Sequence, residues 1–86
     1  MFARFIKVNN KDEEKEILEI LEKLGCQWGS GDKMKKFSPF EYDTSLKKYF
    51  LIIKEDKKIM WQYVKSPAFK QITLDDLKKN LCKYNQ

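Results

Sequence analysis

Phe2, Arg4, Ile6 and Val8 alternate with Ala3, Phe5 and Lys7, a period of two rich in bulky apolar side chains that predicts an opening strand. Asn9-Asn10 ends it. Asn10 is placed to cap a following helix, with Glu13 three residues on as a capping-box acid, and Asp12, Glu13 and Glu14 face the positive end of the helix dipole. Ile17, Leu18, Ile20, Leu21 and Leu24 then recur at spacings of three and four, one apolar stripe for a core, and Gly25 is a natural stop. Glu13, Glu16, Glu19, Glu22, Lys15 and Lys23 fall on the opposite face. A solvated surface explains that pattern, and an acidic patch for a basic partner would also produce it.

Residues 26–46 break the periodicity, because Gly29, Gly31 and Pro39 interrupt it while Trp28, Phe37, Phe40 and Tyr42 keep the segment from reading as disordered. A short strand at Cys26 to Trp28 leading into an ordered loop is the expectation. Tyr49 to Lys54 is a dense strand, Glu55-Asp56-Lys57-Lys58 a turn, and Ile59 to Lys65 the antiparallel return. Ser66-Pro67 breaks that return, and Thr73 with Asp76 three residues on announces a second helix whose Leu74, Leu77, Leu81 and Tyr84 share a face, with Lys78, Lys79 and Lys83 toward its C-terminal end. The fold class expected is α+β in one domain over residues 1–86: a small antiparallel sheet, in the order β-α-β-β-β-α, with two helices packed on one face.

Eighty-six residues bury only about 60 to 65% of the surface of the unfolded chain, so the stability margin is narrow. Hydrophobic residues at 42% and aromatics at 14% supply a core, and 36% charged residues describe a solvated exterior. No apolar run reaches the roughly 18 residues of a membrane span, and the first seven residues lack the pattern of a signal peptide, so a cytoplasmic protein with no membrane partner is expected. Cys26 and Cys82 lie far apart without CxxC spacing, which reads as two buried, reduced thiols. The chain contains no histidine, which removes the commonest general base and every Ser-His or Cys-His nucleophile. Asp75-Asp76 and Glu55-Asp56 are adjacent carboxylates, and neighbours diverge on a helix or sit in a turn. The residues point away from catalysis and imply no metal and no cofactor.

Three features carry possible binding chemistry. Net charge is +5, yet residues 12–24 hold six acids and two lysines, which leaves +9 on the rest of the chain. Lys33, Lys35 and Lys36 cluster after the glycine turn, Lys47 and Lys48 precede the hairpin, and Lys57 and Lys58 sit at its tip. Such a distribution suits an anionic ligand, or reflects a lysine-rich composition alone. Trp61 and Tyr63 share one face of the last strand, with Tyr49 on its partner, as core or as a stacking platform; Met60, Gln62 and Val64 make the other face nearly apolar too. In Trp28-Gly29-Ser30-Gly31 the glycines permit positive φ, and backbone amides beside Ser30 can form an anion nest; alternatively Trp28 plugs the core and the turn is structural.

On Ile6-Lys7-Val8, Leu21 to Gly25, Trp28 to Gly31 and the Tyr49 to Tyr63 hairpin, the chain resembles a group of small uncharacterised phage-encoded α/β proteins. In that group a strand and an acidic helix ending near Leu-Gly precede a Trp-x-Ser-Gly turn and a hairpin. Phe37, Phe40 and Tyr42 resemble the aromatic residues the group places before the hairpin; the lysines after the turn are not part of its pattern. The resemblance implies a phage or mobile-element accessory protein that acts by binding, in the host cytoplasm, and it carries over Trp28, Ser30 and Gly31 as motif positions and no catalytic residue.

The resulting expectation is a non-enzymatic inhibitor of a host defence protein, bound through Trp28, Ser30, Gly31, Lys33, Lys35, Lys36, Phe40, Tyr42, Trp61 and Tyr63. The alternatives are sequestration of an anionic nucleotide, with lysines on phosphate and an aromatic ring on the base, and nucleic-acid binding through the basic remainder. The chain is expected to be a monomer or a homodimer, and apolar side chains on both faces of the hairpin would suit a homodimer.

Overall fold

A computed structural model describes residues 4–65 and 68–84, the last five of these by backbone only. The elements are β1 (Arg4–Val8), α1 (Lys11–Lys23), β2 (Gln27–Trp28), a 3-10 turn at Met34–Lys36, the short α2 (Pro39–Tyr42), β3 (Tyr49–Ile53), β4 (Lys58–Gln62), β5 (Lys70–Ile72) and α3 (Leu74–Tyr84). The Ser66-Pro67 break, Phe2, and the side chains of Leu81, Cys82, Lys83 and Tyr84 lie outside the described residues.

Both long helices start as their sequences predict. Asn10 Oδ1 accepts from Glu13 N at 2.9 Å, while the Glu13 carboxylate reaches back to Asn9 N at 3.2 Å, one residue before the cap. Gly25 closes α1 at φ +86, a left-handed conformation that suits glycine. At α3 the box is reciprocal: Asp76 N donates to Thr73 Oγ1 at 3.2 Å, and Thr73 N donates to Asp76 Oδ2 at 2.9 Å.

The sheet is mixed, not antiparallel, and has five strands in the order β2-β4-β3-β1-β5. β3 pairs antiparallel with both β1 and β4, through Ile6↔Leu51 and Leu51↔Trp61, whereas β2 runs parallel to β4 and β5 parallel to β1. β1, α1 and β2 therefore form a split βαβ unit with the β3–β4 hairpin lodged between its two parallel strands. The expected strand-helix order misses β5, because Lys70-Gln71-Ile72 is too short and too polar for a strand to be read from periodicity; its main-chain pairing with Arg4 to Ile6 creates it. The supposed long loop holds the 3-10 turn and α2, whose N-cap is Ser38 with Pro39 just inside. The return strand also ends at Gln62, three residues short of the expected Lys65.

One face of the sheet carries the main core. Ile6 and Val8 from β1, Tyr49 and Leu51 from β3, Ile59 from β4 and Trp28 from β2 meet Ile17, Leu18, Ile20 and Leu21 of α1 and Leu77 of α3. Both long helices thus share that face. Phe5, Phe50 and Ile52 form a second buried cluster on the other face, with Phe5 and Phe50 edge-on at 6.0 Å. Cys26 is buried in the main core, and burial raises its thiol pKa against the opposing charge of Lys57.

Glu14 is the one buried charged residue among those described. Its carboxylate accepts from Ser38 Oγ at 2.5 Å, Phe40 N at 3.3 Å and Tyr49 Oη at 2.9 Å. All three donors come from residues 38–49, so one side chain of α1 clamps the irregular segment and the first residue of β3. Replacing Glu14 by Ala strands these donors and costs about 2–4 kcal/mol, measurable by urea unfolding. Burial, and then the Glu14 charge, push the Tyr49 phenol well above its ordinary value of 10.0. The folded state therefore keeps a proton that the unfolded state loses above about pH 10, so stability is complete below that pH and falls beyond it, at up to about 1.4 kcal/mol per pH unit. Tyr49→Phe removes that added alkaline slope, while lysine titration stays common to both proteins; identical slopes would contradict this account.

Candidate functional site

Trp28 anchors the glycine turn from inside. Its indole ring is buried, and Nε1 donates to Met34 O at 2.9 Å, which ties β2 to the 3-10 turn. Gly31 N donates to Trp28 O at 2.8 Å and Gly29 N to Ile59 O at 2.9 Å. The two glycine amides an anion nest would use are thus committed to protein carbonyls. Ser30 Oγ donates to Asp32 Oδ2 at 3.0 Å, which puts a carboxylate in the turn. Phosphate would meet that negative charge first.

A cleft of about 380 Å³ opens beside this turn, lined by Trp28, Gly29, Ser30, Asp32, Phe37, Ile59, Met60 and Trp61. Its aromatic wall is continuous: Phe37 stands edge-on to Trp28 at 5.4 Å and 6.2 Å from Trp61. Trp61 is half-buried and is itself braced by Tyr49 at 5.9 Å from the core side. Beyond it, Tyr42 and Tyr63 pack against the same ring at 6.1 and 5.1 Å. Tyr42 is 71% exposed and Tyr63 56%, so the array runs from the core out to a two-tyrosine rim. Tyr63 Oη donates weakly to Asp43 Oδ2 at 3.4 Å, and bonds from Ser45 hold the Asp43 carboxyl below the usual carboxylate range, ionised at neutral pH.

The ten residues singled out by the sequence do not form one site. Trp28, Ser30 and Trp61 line the cleft, with Gly31 in the adjoining turn, and Tyr42 and Tyr63 form the rim. Phe40 is a core residue, stacked edge-on against Tyr49 at 5.0 Å. Lys33, Lys35 and Lys36 are exposed and none lines the cleft; Lys35 turns toward α1 and pairs with Glu19 at 3.5 Å. Lys78 likewise pairs with Glu16 at 3.4 Å, so part of the acidic face of α1 is answered by the chain's own lysines. Both pairs are about half exposed and contribute little stability. Among the described residues no cluster of carboxylates and thiols has the makings of a metal site. No helix among them is long and apolar enough to cross a membrane.

Phe37, Asp32, Asp43 and Met60 are functional candidates that the sequence reading did not assign to the site. The spacing of Ser30 and Asp32, a hydroxyl two residues before a carboxylate in a glycine turn, was a readable signal for the first carboxylate. The Asp43 and Ser45 spacing is a similar local signal for the second carboxylate, and nothing local marks Met60. Comparison of the chain with protein-family models, with curated proteins and with solved structures finds no match.

The two turn glycines make opposite demands. Gly31 holds φ +95 with open space around a Cβ position, whereas Gly29 lies outside the left-handed range. Gly31→Ala therefore costs about 1 kcal/mol or slightly more in thermal unfolding, and Gly29→Ala is neutral or gains up to about 1 kcal/mol.

Proposed function

We propose that this protein is a non-enzymatic binding module that docks a protein partner on the Tyr42–Trp61–Tyr63 face. The observation that carries the reading is the exposure of two tyrosines around a half-buried tryptophan braced by the core. Rigid aromatic side chains that keep an apolar body and a polar tip at the surface are what protein interfaces concentrate their affinity in. The carboxylates of Asp32 and Asp43 beside the rings favour a protein surface over a nucleotide or a nucleic-acid backbone. In the setting that the resemblance to small phage proteins implies, the partner is a host defence protein and docking blocks it.

The test uses the full chain as bait in host lysate, identification of a retained protein, and reconstitution with that protein purified. Tyr42→Ser with Tyr63→Ser lowers the affinity by about tenfold or more, since each exposed ring is worth upward of about 1 kcal/mol at an interface centre. Both rings are more than half exposed, so the double variant stays folded and its melting temperature falls only by the several degrees that the lost ring contacts with Trp61 account for. A lysate that yields no protein, or a purified partner that binds the double variant as tightly as the parent, overturns the reading.

A further inference from the structure

The cleft next to the tyrosine rim has a chemical character of its own, and it narrows what a partner must present. Its walls are Trp28, Phe37 and Trp61, its floor includes Gly29 and Ile59, and its polar groups are the Ser30 hydroxyl and the Asp32 carboxylate. Asp32 is exposed, accepts one bond from Ser30 Oγ at 3.0 Å, and forms no ion pair among the described residues. No lysine lines the cleft, although lysines follow the turn directly at 33, 35 and 36. An aromatic wall with a negatively charged end and no cation of its own is a receptor for a positive group.

We infer that this cleft receives the guanidinium of an arginine side chain from the protein partner, stacked on its aromatic wall and hydrogen-bonded to Asp32. The inference rests on the protein-docking reading above and specifies its chemistry. Four occupants are physically distinguishable. Phosphate is opposed by Asp32 and finds the amides of Gly29 and Gly31 already donated. An aliphatic side chain would strip water from Asp32 and Ser30 without replacing their hydrogen bonds. A lysine ammonium is compact, strongly hydrated and cannot stack. Guanidinium is planar, weakly hydrated and permanently charged, so it meets ring faces and a carboxylate at the same time.

Both tryptophans of the chain line the cleft, so intrinsic fluorescence reports occupancy directly. The probes are end-capped Gly-Arg-Gly, its neutral isostere with citrulline in place of arginine, and Gly-Lys-Gly, titrated into the 86-residue chain and followed in parallel by the tryptophan indole N–H signals in NMR. The arginine peptide gives a saturable change; the citrulline and lysine peptides bind about tenfold more weakly or not at all. Asp32→Asn, which preserves the acceptor for Ser30, loses arginine binding by a similar factor.

Gly29→Val is the steric control. A Cβ there meets Ile59 O at 3.7 Å and Met60 Cγ at 4.0 Å, ordinary contacts with two cleft residues, so a side chain at 29 is tolerated at its Cβ and weakens the response by crowding the cleft, with thermal unfolding as the check that the fold is kept. Absence of a saturable change, equal binding of the citrulline or lysine peptide, or an undiminished response in Asp32→Asn overturns the inference. The Tyr42 and Tyr63 variants separate the two readings: if they weaken a captured partner while Asp32→Asn does not, docking on the rim stands and the arginine assignment fails. If the arginine peptide binds through Asp32 and no protein partner is found, docking on the rim fails and with it the partner as the source of the arginine, while the cleft's selectivity for guanidinium stands.

Discussion

A single buried carboxylate organises this molecule. Glu14 sits on the inner face of α1, and its two oxygens collect a serine hydroxyl, a backbone amide and a tyrosine hydroxyl from a stretch of chain that has little regular structure of its own. Burying a carboxyl group is costly unless its oxygens are hydrogen-bonded, and here three donors from one segment supply those bonds. The clamp seats residues 38–49 on the molecule through Pro39, Phe40 and Tyr49, the buried residues of the segment, which form a wall of the core. Phe40 and Tyr49, brought edge-on by the same arrangement, complete the apolar part of that wall.

The candidate site inherits its rigidity from that clamp. Tyr49 donates to Glu14 with its hydroxyl and braces Trp61 with its ring, so the tryptophan at the centre of the exposed array rests on a side chain that cannot swing. From the other direction, Trp28 is pinned by its indole bond to Met34 and holds Phe37 edge-on. Between these supports lies the cleft. Its surfaces come from β2, β4 and the segment after the 3-10 turn, elements far apart in the chain and adjacent only because β2 adds to β4 in parallel. An aromatic face supported in this way from both sides is already ordered, and ordering it further would cost little side-chain entropy.

Charge illustrates how composition can mislead about surfaces. The acidic helix and the lysine-rich remainder look like two opposed poles in the sequence. Folding returns Lys35 to Glu19 and Lys78 to Glu16, while the aromatic cleft collects carboxylate and no lysine. The lysines nearest the glycine turn in sequence are thereby separated from the site that the turn helps to build.

Local chemistry was legible wherever it acts over a few residues. The Asn10 and Thr73 caps, the Gly25 stop, the apolar stripe of α1 and the β3–β4 hairpin all follow from side-chain type and spacing, because hydrogen bonds to the next turn and periods of 2 and 3.6 are properties of the chain itself. Even Glu14 falls in phase with Ile17, Leu18 and Leu21, so its inward position was written in the helical period, although a carboxylate there looked like part of the acidic first turn. What tertiary structure alone decided was partnership across distance: β5 beside β1, β2 parallel to β4, Phe40 turned into the core, Lys35 turned to α1, and Asp32 set before Trp61. Each depends on which surfaces remain to be covered once the core has closed. No local period encodes that, because it is a property of the packed whole.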